Sequence, residues 1–161
     1  MPAQEHQRRP IGPARYPVPD AATYLAGGWR IARTVRDLCT GAEGSFHGTA
    51  QFRPDAAGAG LLHIEEGELT WAGTVHPASR TLRLRPLPDG TARITFADGR
   101  PFHDLDLRTG RWTAVHPCAD DRYEGIFTVI AADEWHLEWR VGGPAKEQLL
   151  RSVYRRAPVT P

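Results

Sequence analysis

Between Trp29 and Arg156 apolar and polar residues alternate with a period of two, and turn-forming residues interrupt them at intervals of roughly ten. Trp29, Ile31 and Val35 alternate with Arg30, Ala32, Thr34 and Arg36. Phe46, Gly48, Ala50 and Phe52 alternate with His47, Thr49 and Gln51, while Trp135, Leu137, Trp139 and Val141 share a face opposite His136, Glu138 and Arg140. Leu62 and Ile64 lead through Glu65-Glu66-Gly67 to Leu69 and Trp71, which reads as a hairpin with His63 and Thr70 on its polar face and exposed turn acids at Glu65 and Glu66. The pattern predicts an all-β domain of about nine or ten strands. Strands that each bury one face are satisfied by closure into an up-and-down antiparallel barrel, which removes unpaired edges; a two-sheet sandwich is the competing architecture. Asp20 is placed to cap a short N-terminal helix that Gly27 and Gly28 end. Residues 1–19, rich in Pro, Arg and Gln, are expected to form a disordered arm, and residues 20–158 the barrel.

Three turns set a register in the middle of the chain. Pro88-Asp89-Gly90 makes a three-residue loop that pairs Leu87 with Thr91, so Leu84 faces Ile94 and Leu82 faces Phe96. Asp98-Gly99, read as a two-residue hairpin turn, sets Phe96 opposite Pro101, Ile94 opposite His103 and Ala92 opposite Leu105, with Asp104 beside Arg93 outside. An even-length loop at Thr109-Gly110 then pairs Leu107 with Trp112, Leu105 with Ala114 and His103 with His116. The expectation is that both histidines point inward with Leu82, Leu84, Ile94, Phe96, Leu105, Leu107 and Trp112, because a one-residue slip would expose that whole set.

Directly opposed imidazoles could hold one water, metal ion or substrate oxygen between them. An apolar interior favours their neutral form and leaves a base at neutral pH. His103 and His116, with Tyr123 as a proton donor, are therefore the candidate catalytic residues for cyclisation, isomerisation or dehydration of a bound molecule. Trp29, Trp71, Phe96, Leu105, Trp112, Cys118 and Trp139 are the candidate ligand-lining residues. No third ligand joins the histidines at recognisable metal-binding spacing, and no cofactor is called for. The primary reading is binding of a small, largely apolar molecule in the barrel, with acid/base catalysis as its extension. A haem- or metal-binding barrel using His103 or His116, and a structural or interaction barrel with a filled core, are the alternatives.

At 161 residues the chain suits one domain. A formal charge of +1 provides no field for nucleic acid or an anionic membrane. Two cysteines far apart in sequence fit a reducing compartment. With no secretory signal and no membrane-spanning run, the expected location is cytoplasmic, with a small apolar molecule as partner, neither nucleic acid nor membrane, and homodimerisation left open.

Gly27-Gly28-Trp29 at the start of the first strand, inside AGGWRIAR, resembles the opening of lipocalins and the wider calycin group. There the tryptophan closes the barrel floor under an arginine from near the C-terminus, a part the resemblance offers to Arg151, Arg155 or Arg156. YLAGGWRIAR, LLHIEEGEL, FADGRPFHDLDL, HPCADDRYEG, WRVGGPAKE and SVYRR together look like a bacterial family of lipocalin-like proteins of unknown function (DUF6314-like). This resemblance implies the lipocalin-like barrel and no activity. Small barrels that act as cyclases, and nitrobindin-like barrels that hold haem through a histidine, are analogies of fold.

Overall fold

The computed structural model describes residues 15–158, apart from the Cys118 side chain. One short helix, α1 (Ala21–Leu25), precedes ten strands: β1 (Gly27–Asp37), β2 (Glu43–Pro54), β3 (Leu61–Trp71), β4 (Thr74–Pro86), β5 (Ala92–Phe96), β6 (Pro101–Leu105), β7 (Arg111–Cys118), β8 (Asp121–Ala131), β9 (Glu134–Gly142) and β10 (Glu147–Arg156). They form a single antiparallel sheet in the order β6-β5-β4-β3-β2-β1-β10-β9-β8-β7. The sheet curls into a nearly closed lipocalin-like barrel in which β1 pairs with both β2 and β10, and the seam lies between β6 and β7.

One end is plugged. Asp20 caps α1 by accepting the Thr23 N–H at 2.9 Å, and Leu25 reaches the interior. Beneath the helix Trp29 is fully buried, and its Nε1–H donates to the Leu25 carbonyl at 2.8 Å. Of the three C-terminal arginines considered, Arg156 covers that ring, its guanidinium 3.9 Å from the centroid, and donates to the carbonyls of Ala26 and Tyr24 at 2.8 and 2.6 Å. Desolvated cation–π contact and charge-assisted bonds to helix-end carbonyls act together here.

Residues 16–19, expected within the arm, run along this plugged end, while residues 1–14 of that expectation lie outside the described residues. The Tyr16 N–H donates to Val129 O and the Val18 N–H to Leu107 O, and Val18 is only 2% exposed.

The register holds around the first turn: Leu82 pairs with Phe96 and Leu84 with Ile94. At the second turn the loop is three residues long, not two. The Phe96 N–H donates to Arg100 O, and Gly99 takes φ +90°, a conformation glycine adopts without strain. A bulge then compensates. Thr95 pairs with Pro101, which has no N–H to donate, Phe102 is the extra residue, and Ile94 still meets His103 and Ala92 still meets Leu105. The Arg93–Asp104 pair forms outside at 4.0 Å.

At the third turn the expected ladder is absent: β6 and β7 do not pair, so neither Leu105–Ala114 nor His103–His116 exists as a register pair. The turn itself closes as the first two do, the Gly110 N–H donating to Leu107 O, but the ladder does not continue: Leu107 O also accepts from the Val18 N–H, and Arg111 O accepts from the Thr109 hydroxyl at 3.0 Å instead of from the Leu107 N–H. Across the seam Trp112 Nε1–H instead donates to Asp104 O at 2.7 Å.

The Glu65-Glu66-Gly67 hairpin also requires correction. Strand β3 runs through it without a turn, and Gly67 pairs with Gly48. A Cβ on Gly67 would lie 2.6 Å from the Gly48 Cα, so the glycine serves a close approach of two strands. Continuous alternation then turns His63 and Glu65 inward, where they are 8% and 2% exposed, and leaves Ile64 and Glu66 on the outer face.

Candidate functional site

The bulge decides the histidine region. Phe102 is driven inward beside His103, its ring centroid 4.8 Å from His103 and 5.2 Å from His116. Its other neighbours are Phe96 at 4.6 Å and Trp139 at 5.3 Å, both stacked. Leu105, Trp139 and Phe127 line the same interior, which retains a cavity of only about 30 Å³, room for a water molecule or two. His103 is held neutral: burial lowers its pKa to about 4, against a hydrogen bond between Nδ1 and the Asp104 carbonyl at 2.7 Å. Tyr123 sits opposite His116 in the β7–β8 ladder with ring centroids 6.1 Å apart. No hydrogen bond joins His103 to His116 among the described residues.

A polar cluster that the sequence reading did not assemble occupies the middle of the barrel. Adjacent strands place Arg80 opposite Glu65, and Phe46 and Ser152 on either side of Arg33. Glu65 accepts from Arg33 Nη2 at 3.0 Å and Arg80 Nη2 at 3.3 Å on one oxygen, and from the Tyr154 hydroxyl at 2.5 Å and His63 Nε2 at 3.1 Å on the other. Arg33 also donates to Ser152 Oγ at 2.7 Å and to the Tyr154 hydroxyl oxygen at 2.9 Å. A buried carboxylate with this many donors is a satisfied network, not a stray charge.

The electrostatics follow from those contacts. Burial alone would raise the Glu65 carboxyl, but the His63 hydrogen bond and the charges of Arg80 and Arg33 outweigh it and hold the group well below the usual carboxylate range. Burial lowers the His63 pKa against the pull of Glu65, so His63 is a neutral imidazole donating through Nε2. Burial, followed by the Glu65 charge, raises the Tyr154 hydroxyl, which stays protonated. His63 is stacked on Phe52 at 4.1 Å, and Tyr154 on Trp135 at 3.7 Å, so aromatic faces fix the orientation of both polar groups.

This cluster forms the base of a second, larger cavity at the end of the barrel opposite α1. Its volume is about 460 Å³, and Val35, Phe46, Leu69, Trp71, Ala78 and Leu150 supply apolar wall above Arg33, Glu65 and Arg80. Ser79 and Gln148 add neutral polar groups at the sides. Among the candidate ligand-lining residues Trp71 borders this cavity, while Leu105 and Trp139 border the small interior one. Trp29 belongs to the floor, Phe96 packs on Phe102, and Trp112 bridges the seam. The Cys118 side chain lies outside the described residues. Among the described residues no group of three His, Cys, Asp or Glu is arranged to hold a metal ion, and no helix is long and apolar enough to cross a membrane.

The sequence contained a signal for this site. Arg33 falls two residues from both Ile31 and Val35, and His63 and Glu65 share the parity of Leu61, Leu69 and Trp71 once β3 is taken as unbroken. Charged residues at inward positions of a barrel strand need partners, and those partners lie on other strands.

Fold and site define a ten-stranded, lipocalin-like antiparallel barrel with a plugged floor and an open, apolar-walled mouth. The chain belongs to the family of unknown function DUF6314, whose profile matches residues 25–156. Among solved structures it resembles the S-type phycobiliprotein lyase CPES from Guillardia theta, with a TM-score of 0.61 and 11% identity over 86% of this chain and 91% of that one. Rv2717c from M. tuberculosis is also similar, with a TM-score of 0.54 and 13% identity over 86% of this chain and 96% of the other. Likenesses at this identity show the fold. No curated protein matches the chain.

Proposed function

We propose that the protein binds a small, largely apolar molecule in the mouth cavity, with Phe46, Leu69, Trp71 and Leu150 as its walls and the Glu65 cluster as its base. The observation that carries this reading is the contrast inside the barrel: about 460 Å³ with mostly apolar walls at the mouth against about 30 Å³ in the interior beside His103, whose other neighbouring space, about 620 Å³, is a groove bordered by the charged Asp55, Arg83, Arg85, Arg93 and Asp104. The mouth volume falls in the range of small-molecule sites, roughly 300–1,000 Å³. Chemistry at His103, His116 and Tyr123 is not part of the reading, because Phe102 packs against both imidazoles and leaves no room for a substrate between them. The same filled interior disfavours a haem plane ligated by His103.

The test uses a neutral fluorophore, N-phenyl-1-naphthylamine. Saturable one-to-one enhancement is expected with the wild-type protein. It should be lost in Ala78→Trp, where an indole fills the mouth, at an unchanged melting temperature. No saturable signal in the wild type, or equal binding by Ala78→Trp, overturns the proposal.

A further inference from the structure

The charges that line the mouth do not cancel. Arg33 and Arg80 face one carboxylate, Glu65, and every other lining group is neutral. The two guanidiniums are also not equivalent. Arg33 is 14% exposed and donates through Nε and Nη2 to Ser152, Glu65 and Tyr154, so it is committed to the barrel. Arg80 is 39% exposed and spends only Nη2, on Glu65; its Nε and Nη1 make no hydrogen bond among the described residues. Glu65 in turn has both oxygens occupied by protein donors, so it cannot serve as the counter-charge for a cationic guest.

An excess cation at the base of an apolar-walled cavity, with donors left over, selects for a particular head group. Its attraction is strengthened because Phe46 and Leu69 keep much of the surroundings apolar. We infer that the mouth cavity takes an amphipathic anion, an apolar chain or ring system against Phe46, Leu69 and Trp71 with a carboxylate on Arg80. This rests on the proposal that the cavity binds an apolar molecule and adds the chemistry of its polar end. Arg33 acts through Glu65 as a positioning residue: it shares the carboxylate and leaves Arg80 with charge to offer.

The test displaces N-phenyl-1-naphthylamine with three ligands of one chain length, decanoate, 1-decanol and decylammonium, at neutral pH. In the wild type decanoate should displace the probe at a concentration about tenfold lower than decanol, the scale of a charge-assisted hydrogen bond, and decylammonium should be weakest. Arg80→Gln should bring decanoate and decanol to the same affinity while decanol stays within about twofold of its wild-type value, and Arg80→Lys should keep part of the gap. The wild-type series needs no variant to fold. If all three ligands displace the probe equally, or the gap survives in Arg80→Gln, the head-group inference falls and the cavity remains a binding site. If the probe binds but none of the three displaces it, the head-group inference falls alone; if the probe itself does not bind, the underlying reading falls with it.

Discussion

Glu65 accepts the Tyr154 hydroxyl at 2.5 Å, a bond between β3 and β10 that joins residues 89 positions apart and does so wholly inside the barrel. Around it the charges of Arg33 and Arg80 and the dipole of His63 make ionised Glu65 the favoured state. The arrangement ties four strands, β1, β3, β4 and β10, to one carboxylate.

Removing that carboxylate charge leaves Arg33 buried beside an uncharged acceptor. Glu65→Gln should therefore cost about 3–5 kcal/mol, as breaking one partner of a buried ion pair does. Tyr154→Phe, which removes one donor and keeps the stacking on Trp135, should cost about 1–3 kcal/mol. Urea denaturation of the two variants measures both, and a Glu65→Gln loss smaller than that of Tyr154→Phe would contradict the assignment of Glu65 as the hub.

The floor makes a second prediction. Arg156 stacks over Trp29 at 3.9 Å and also donates to two carbonyls near the end of α1. Arg156→Lys keeps the charge but loses the planar fork and the stacking, so it should destabilise by about 1–3 kcal/mol and is not conservative here. Melting temperature reports the loss. A Lys variant as stable as the wild type would show that the cation alone matters.

The third prediction concerns acid. Burial depresses the His103 pKa from 6.5 to about 4, so the unfolded chain takes up a proton at this position near pH 6.5 while the folded chain resists until near pH 4. The sign is destabilising as pH falls: the contribution is intact above about 6.5, declines through the interval and is lost near 4, in total about 3 kcal/mol. Glu65, depressed in the folded state, loses its contribution in the same direction but only as pH falls from the ordinary carboxylate range downward. His103→Gln should flatten the decline between pH 7 and 5 selectively, as read from urea midpoints at the two pH values. An unchanged slope would mean that His103 is not buried as described.

The barrel was legible in the sequence because period-two alternation reports one buried face per strand, and the pairs Leu82–Phe96 and Leu84–Ile94 follow from one well-defined turn. The pairing of Ile94 with His103 came out as expected although its stated reason did not: a three-residue loop and a bulge at Phe102 offset each other in parity. The bulge itself was hidden, and it fills the space between the two histidines with an aromatic ring. The Glu65 site was misread because Gly67, a turn residue by habit, stands inside a strand to let Gly48 approach.

Local pattern thus settled which residues belong to strands and which face most apolar side chains take, since each depends on neighbours in sequence or on one cross-strand step; the tryptophan and C-terminal arginine of the floor were offered by the resemblance to lipocalins, and the structure chose Arg156 among the three arginines. Where the cavity lies, that the β6–β7 seam stays unpaired, and that an inward glutamate is tolerable were decided only in three dimensions. Those outcomes depend on groups many residues apart competing for the same donors, acceptors and space, and no window along the chain contains both competitors.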